Sequence, residues 1–269
     1  MENQDFAQKV VWITGASSGI GEALSLAFAQ KKSRLVLSSR REEELQRVAK
    51  ACQTQGAAEV MILPLDLAQP ATFSDRAQSV KGYFGRIDML VNNGGISQRS
   101  LAHETLLEVD RQLMEINFFG TIGLTKAVLP QMISQKSGQL VVVSSIVGKI
   151  GVPLRTAYSA SKHALHGYFD ALRAELWREG IRVLLVCPGF VQTSISLNAL
   201  RGDGALHQQM DEATRQGLSP AYTAQKVLQA LRTGKEEIII SGFREKYGLW
   251  LKKYAPRLFS RLLRKAKTT

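Results

Sequence analysis

Cysteine is scarce in this chain. Its 269 residues hold only Cys52 and Cys187, in unrelated segments without metal-ligand spacing, so neither a disulfide framework nor a structural metal site is expected. Buried free thiols in a reducing, cytoplasmic setting fit them better. Long apolar runs are missing too. No stretch approaches the ~20 residues a transmembrane helix needs, and the polar opening "MENQDF" has no signal-peptide pattern. No internal repeat, low-complexity tract or Pro/Gly-rich linker divides the chain. The four histidines, His103, His163, His166 and His207, form no metal-binding or triad pattern. A basic surface interleaved with aromatics, the mark of a nucleic-acid binder, is lacking as well. These absences leave a soluble chain, or one held at a membrane surface, of a length suited to one α/β domain.

What is present is strand–helix alternation. Strand-like runs are expected at 9–14, 34–39, 59–65, 87–92, 138–144, 181–187 and 236–241, several of them continuously apolar, as parallel strands covered on both faces are. Helical patterns lie between them at about 19–31, 41–55, 69–84, 104–135, 153–178 and 219–233. Repetition of this kind predicts right-handed βαβ units in a Rossmann-type, doubly wound, seven-stranded parallel sheet. Ligands of such sheets bind beyond the carboxyl ends of the strands, so chemistry is sought there.

The first expected strand runs straight into "TGASSGIG", residues 14–21. Gly15, Gly19 and Gly21 allow a tight turn and a close backbone approach to a pyrophosphate. The helix that follows offers free N–H groups and the positive end of its dipole to that anion. The second strand ends in Ser39, Arg40 and Arg41 and has no carboxylate to accept from ribose hydroxyls. Arginine there can pair with a 2′-phosphate, so NADP(H) is favoured over NAD(H). Opening a helix with arginines alone would be a poor choice, because positive charge at its N-terminus is unfavourable.

The chain resembles the short-chain dehydrogenase/reductase family over roughly residues 8–242. The likeness rests on ordered motifs: "TGASSGIG" (14–21), "DL" (66–67), "NNGG" (92–95), Asn117 in "INFFG", "VVVSS" (141–145), "YSASK" (158–162) and "PGFVQT" (188–193). Where the family usually has NNAG, this chain has Gly94 for alanine, which should loosen the turn slightly. The resemblance implies a catalytic set of Asn117, Ser145, Tyr158 and Lys162, Ser145 being preferred to Ser144 for its distance from the tyrosine. It also implies a cofactor site. Ser17, Ser18 and Ile20 would join the glycines of the turn, and Asp66 and Leu67 would border the adenine. Asn93, Gly94 and Gly95 would pass beside the ribose, and Pro188, Gly189, Val191 and Thr193 would line the nicotinamide.

The chemistry can be argued from the residues themselves. Reducing a ketone needs hydride at carbon and a proton at oxygen, and free tyrosine, titrating near ~10, exchanges protons poorly at neutral pH. An ammonium one helical turn away favours phenolate, so Lys162 is expected to tune Tyr158. Ser145 would donate to the carbonyl oxygen as charge develops there. The expected activity is NADPH-dependent reduction of a lipophilic ketone, reversibly an alcohol dehydrogenase. The alternatives are a 3-oxoacyl-carrier-protein reductase and a non-catalytic NADP-binding sensor or scaffold.

Two further segments stand out. Residues 193–218 are too long for a plain connection and are expected to cover the substrate. Ile195, Leu197, Leu200, Leu206 and Met210 would give that lid an apolar lining, with Gly202 and Gly204 as hinges. After the catalytic domain, residues 1–242, the extension 243–269 carries nine Lys or Arg against one acid, +8 of the chain's net +12. At about 100° per residue its apolar and basic residues fall on separate faces, which suits an anionic membrane surface. The other reading packs the apolar stripe on a subunit or on the lid. By analogy with the family a homodimer or homotetramer is expected.

Overall fold

The computed structural model describes residues 5–265. The first four residues of the expected domain and the last four of the expected extension lie outside them. Strands β1 (Val10–Thr14), β2 (Arg34–Ser38), β3 (Glu59–Ile62), β4 (Met89–Asn92), β5 (Gly138–Val143), β6 (Ile181–Pro188) and β7 (Glu237–Ile240) form one sheet. Helices α1 (Gly19–Ala29), α2 (Glu42–Thr54), α3 (Phe73–Phe84), α4 (Leu107–Met114) and α5 (Gly120–Ser134) fall between the first five strands. They are followed by α6 (Thr156–Leu176), α7 (Glu212–Arg215), α8 (Pro220–Arg232), α9 (Phe243–Tyr254) and α10 (Pro256–Leu263).

Every strand pairing is parallel, and the order is β3-β2-β1-β4-β5-β6-β7. The order reverses between β1 and β4, and such a switch point opens a crevice at the strands' carboxyl ends. Alternate residues of one strand feed opposite cores. Val10 and Trp12 join Phe73, Leu124 and Phe169 on one side, whereas Val11 and Ile13 join Leu24, Phe28 and Val227 on the other. Burial of both faces is why these strands read as unbroken apolar runs.

The expected elements are found, with informative differences at their ends. β3 ends at Ile62, although Leu63 and Leu65 still donate to the Leu37 and Ser39 carbonyls at 3.0 and 3.1 Å; Pro64 between them faces the open edge, where its missing N–H costs no ladder bond. The pattern at 104–135 is not one helix: α4 and α5 are joined by a π-turn, Glu115–Phe119, with Asn117 at its centre. Extra residues of this kind inside helices recur at functional sites. The pattern at 153–178 becomes helical at Thr156, after Leu154 at φ 65.

Candidate active site

The turn after β1 needs its glycines. Gly15 and Gly19 have φ of 63 and 59, a region side chains with a Cβ rarely visit. A Cβ on Gly21 would lie 2.2 Å from the Gly15 carbonyl oxygen, and one on Gly19 would lie 2.9 Å from the Thr193 methyl. The turn is therefore folded against itself and against the loop after β6. Thr14 and Asn93 lock it to β4: the Thr14 hydroxyl accepts from the Asn93 and Gly94 amides at 3.0 Å, and Asn93 Nδ2 donates to the Thr14 carbonyl at 3.0 Å. Ser18 precedes α1 without a side-chain cap, so the free N–H groups of that helix face outward. The Arg41 guanidinium donates to the hydroxyls of Ser17 and Ser18, each at 3.0 Å, which brings the end of β2 to the turn. Arg40 is exposed beside it, with no ion pair among the described residues.

Gly94 has a partner in Leu67. The Cβ of an alanine there would lie 2.7 Å from Leu67 Cδ1, so the space a methyl group would use is filled by a leucine from the neighbouring loop. The turn is packed and not loosened. Asp66 folds back on its own loop, accepting from the Ala68 amide at 3.0 Å.

Tyr158 and Lys162 share a face of α6 and are both buried. Lys162 Nζ lies 5.8 Å from the centre of the Tyr158 ring and donates to the Val143 carbonyl at 2.9 Å. Burial pushes the Lys162 amine down to about 8. Burial also pushes the Tyr158 phenol above its ordinary value, while the charges of Arg99 and Arg155 and the Ser145 hydroxyl pull the other way. The guanidinium charges of Arg99 and Arg155 thus act on the phenol from outside the Tyr158–Lys162 turn. Ser145 accepts from the Val147 amide and donates to the Pro188 carbonyl, both at 3.3 Å. Ser144 points elsewhere, meeting the Lys162 carbonyl at 3.2 Å and His166 Nε2 at 3.1 Å. Asn117 is fully buried and clamps the loop after β4, accepting from the Ile96 amide at 2.8 Å and donating to its carbonyl and to Ser161 Oγ at 3.0 Å.

A cleft of about 1270 Å³ runs over these groups. It gathers Gly15, Ser17, Ser18, Gly19, Ile20, Ser39, Arg40, Arg41, Asp66, Leu67, Asn93, Gly94, Gly95, Ser145, Tyr158, Lys162, Pro188, Gly189, Val191 and Thr193. Gly21 and Asn117 stand one layer behind its wall. Segment 193–218 borders the cleft through Ile195, Leu200 and Leu206, whereas Leu197 and Met210 face away from it. At Gly202 a Cβ would meet the Glu104 carbonyl oxygen at 2.2 Å, so the missing side chain permits close backbone packing. Helices α9 and α10 close another side of the cleft through Gly248, Leu251, Phe259 and Leu263. The tail thus packs on its own chain. It also carries a row of exposed rings in which Phe243 and Tyr247 stack at 6.3 Å and Tyr247 and Trp250 at 6.0 Å, while Trp250 and Tyr254 meet tilted at 5.5 Å.

One cluster escaped the sequence reading. Asp211 of segment 193–218 accepts from Arg99 Nε at 3.0 Å, from Arg99 Nη2, and from Arg155 Nη2 at 3.0 Å. All three residues are buried. Burial works to raise the Asp211 carboxyl, yet Arg99 and then Arg155 hold it below the usual carboxylate range. Arg155 stands just before α6, and no spacing in the sequence joins it to Arg99 or Asp211.

Residues 9–203 match the family model of the short chain dehydrogenases. The Dehydrogenase/reductase SDR family protein 7-like of Anopheles gambiae is 43% identical over 96% of this chain and 82% of its own length. The Dehydrogenase/reductase SDR family member 7B of Mus musculus is 40% identical over 94% and 80%. A short-chain dehydrogenase/reductase from Burkholderia phymatum, solved with NAD, superposes with TM-score 0.84 at 24% identity over 95% of this chain and 96% of that one. An alcohol dehydrogenase from Thermococcus sibiricus, complexed with 5-hydroxy-NADP, gives 0.76 at 26% identity over 87% and 97%. The chain belongs to the short-chain dehydrogenase/reductase family, oxidoreductases that use nicotinamide cofactors.

Proposed function

We propose that this protein is an NADPH-dependent reductase of lipophilic ketones, acting reversibly as an alcohol dehydrogenase. The observation that carries the reading is a buried phenol, Tyr158, sharing one cleft with Ser145, Lys162 and a glycine turn built for close approach. The turn suits a dinucleotide: a Cβ at Gly15, Gly19 or Gly21 would strike neighbouring atoms at 2.9 Å or less, and the uncapped start of α1 suits a pyrophosphate. Arg40 and Arg41 would pair with a 2′-phosphate, Asp66 and Leu67 would border the adenine, and Asn93 to Gly95 would follow the ribose. Pro188, Gly189, Val191 and Thr193 would line the nicotinamide. Bound there, the reduced nicotinamide supplies hydride to the carbonyl carbon.

The chain's own residues do the rest. Tyr158 gives its proton to the substrate oxygen, and its raised pKa keeps it protonated at neutral pH. Ser145 turns its hydroxyl from the Pro188 carbonyl to that same oxygen. Lys162, which donates to the Val143 carbonyl, would hold the nicotinamide ribose and would add its charge beside the phenol. Asn117 holds the loop after β4 in place and steadies a water through which Tyr158 is reprotonated. Replacing Tyr158 by Phe tests the assignment: turnover of ketones with NADPH should fall by roughly 10²–10⁴ while NADPH still binds, read by its fluorescence. Unchanged turnover removes Tyr158 as the acid; binding without turnover of any ketone by the parent leaves a sensor.

The lid role of segment 193–218 is supported by its leucines on the cleft. Peripheral membrane attachment is supported by the aromatic row on α9, with Phe243 83% and Tyr254 62% exposed, and by the lysines and arginines beside it. No described helix is long and apolar enough to cross a membrane. Exposed Phe119 and Ile133 near and on α5 support pairing of that helix in a homodimer or homotetramer.

A further inference from the structure

The cluster around Asp211 is out of charge balance. Two guanidinium groups share one carboxylate, and neither arginine has another ion-pair partner among the described residues. Arg99 is nearly saturated: beside its bonds to Asp211, Nη1 donates to Ser97 Oγ at 2.8 Å and to the Gln98 carbonyl at 2.6 Å, which leaves one Nη2 hydrogen over. Arg155 is not. Among the described residues its guanidinium donates one hydrogen bond, to Asp211, and lies over the Phe190 ring at 5.9 Å, on the wall of the cleft.

For stability alone Arg155 is a poor choice. It is 4% exposed, and burial, followed by the like charge of Arg99, pushes its pKa down to about 10. It also begins α6, where the helix dipole disfavours a cation. A buried cation with spare donors facing a cavity calls for an anion. The cofactor's phosphates do not answer, since the glycine turn and Arg40 and Arg41 lie at the ends of β1 and β2, away from the start of α6.

We propose that Arg155 anchors an anionic oxygen group of the substrate, a carboxylate or a phosphate. Arg155 caps the start of α6 on the same cleft as Tyr158, near enough for its charge to act on the phenol, so the anion lies only a few bonds from the carbonyl that is reduced. Ile150, Val152, Leu200 and Leu206 on the same cleft receive the apolar remainder. The substrate class is then an anionic amphiphilic ketone. The proposal rests on the ketone-reductase reading and narrows it.

The test uses 4-oxododecanoate, its methyl ester and 4-oxododecylphosphonate on the full chain, with Arg155→Met, Arg155→Lys and, as a control for any cation near the cleft, Arg244→Met, an exposed residue of α9 on the cleft rim. The parent should prefer an acid to the ester in kcat/KM, and the preferred acid tells carboxylate from phosphate. Arg155→Met should cut that preference roughly ten- to a hundredfold, Arg155→Lys should restore part of it, and Arg244→Met should leave it. Calorimetric binding of the acids without turnover reads the anchor even if no ketone is reduced, so failure of the ketone-reductase reading is told apart from failure of this one. Melting temperature separates an anchor from a clamp: Arg155→Met leaves a matched Arg99–Asp211 pair and should melt no lower than the parent. Equal treatment of acid and ester by the parent would overturn the proposal. So would a preference that Arg155→Met leaves intact, or a loss shared equally by acid and ester and accompanied by a lower melting temperature.

Discussion

Lys162 is held in the fold at a cost, and the cost has a pH signature. Its amine moves from the ordinary 10.5 to about 8 on burial, which corresponds to about 3 kcal/mol of destabilisation while the group is charged in the unfolded chain. Between those two values the unfolded state binds more protons than the folded one, so stability from this group rises with pH. The penalty is complete below about 8 and fades toward 10.5. Replacing Lys162 by Met removes the penalty and also removes the bond to the Val143 carbonyl at 2.9 Å, which costs about 1–3 kcal/mol at every pH. The two nearly cancel near neutrality, so the variant should be about as stable as the parent at pH ~7 and less stable by about 2 kcal/mol or more at pH ~10. Urea unfolding of the cofactor-free proteins, followed by tryptophan fluorescence at constant ionic strength, measures the gap at each pH. Other titrating groups drop out of the difference. A gap that stays constant from pH ~7 to pH ~10 would mean that the amine is not depressed, and the account of the site's electrostatics would fail with it.

Other outcomes follow from particular contacts. Arg41→Ala should raise the KM for NADPH roughly tenfold or more with little change for NADH, because a charge-assisted contact to phosphate is worth about 1.5–3 kcal/mol; equal effects on both would assign Arg41 to the turn alone. Gly21→Ala brings a methyl to 2.2 Å of the Gly15 carbonyl and should cost about 1–3 kcal/mol in unfolding together with NADPH affinity; a variant that melts and binds as the parent does would refute the packing argument. Asp211→Asn leaves two buried guanidinium groups facing a neutral amide and should destabilise by about 3–5 kcal/mol, read by chemical denaturation. Replacing Phe243 and Trp250 by Ser should release the protein from anionic liposomes in co-sedimentation with turnover of a soluble ketone retained; equal pelleting of both proteins would remove the membrane role from α9.

What was legible in the sequence is what short-range geometry demands. Gly15, Gly19 and Gly21 follow one another within a single turn, and "YSASK" spans one turn of α6, so each motif can be judged from its own spacing. The sheet was legible because both faces of Val11–Ile13 and Val141–Val143 are buried, which leaves no polar residue to break the run. The π-turn at Asn117 gave no such signal: an extra residue in a helix changes no residue type, and it alters only which way the side chains after it point. Nor did the electrostatics of the phenol. Tyr158 and Lys162 are neighbours in sequence, so that pair could be read from its spacing. Further charges that act on Tyr158 come from Arg99, on the loop after β4, and Arg155, and both are held by Asp211, 112 and 56 positions from them. Local motifs are legible because one turn of chain sets their geometry. A cluster such as Arg99, Arg155 and Asp211 is assembled from distant segments, and no short spacing marks it in advance.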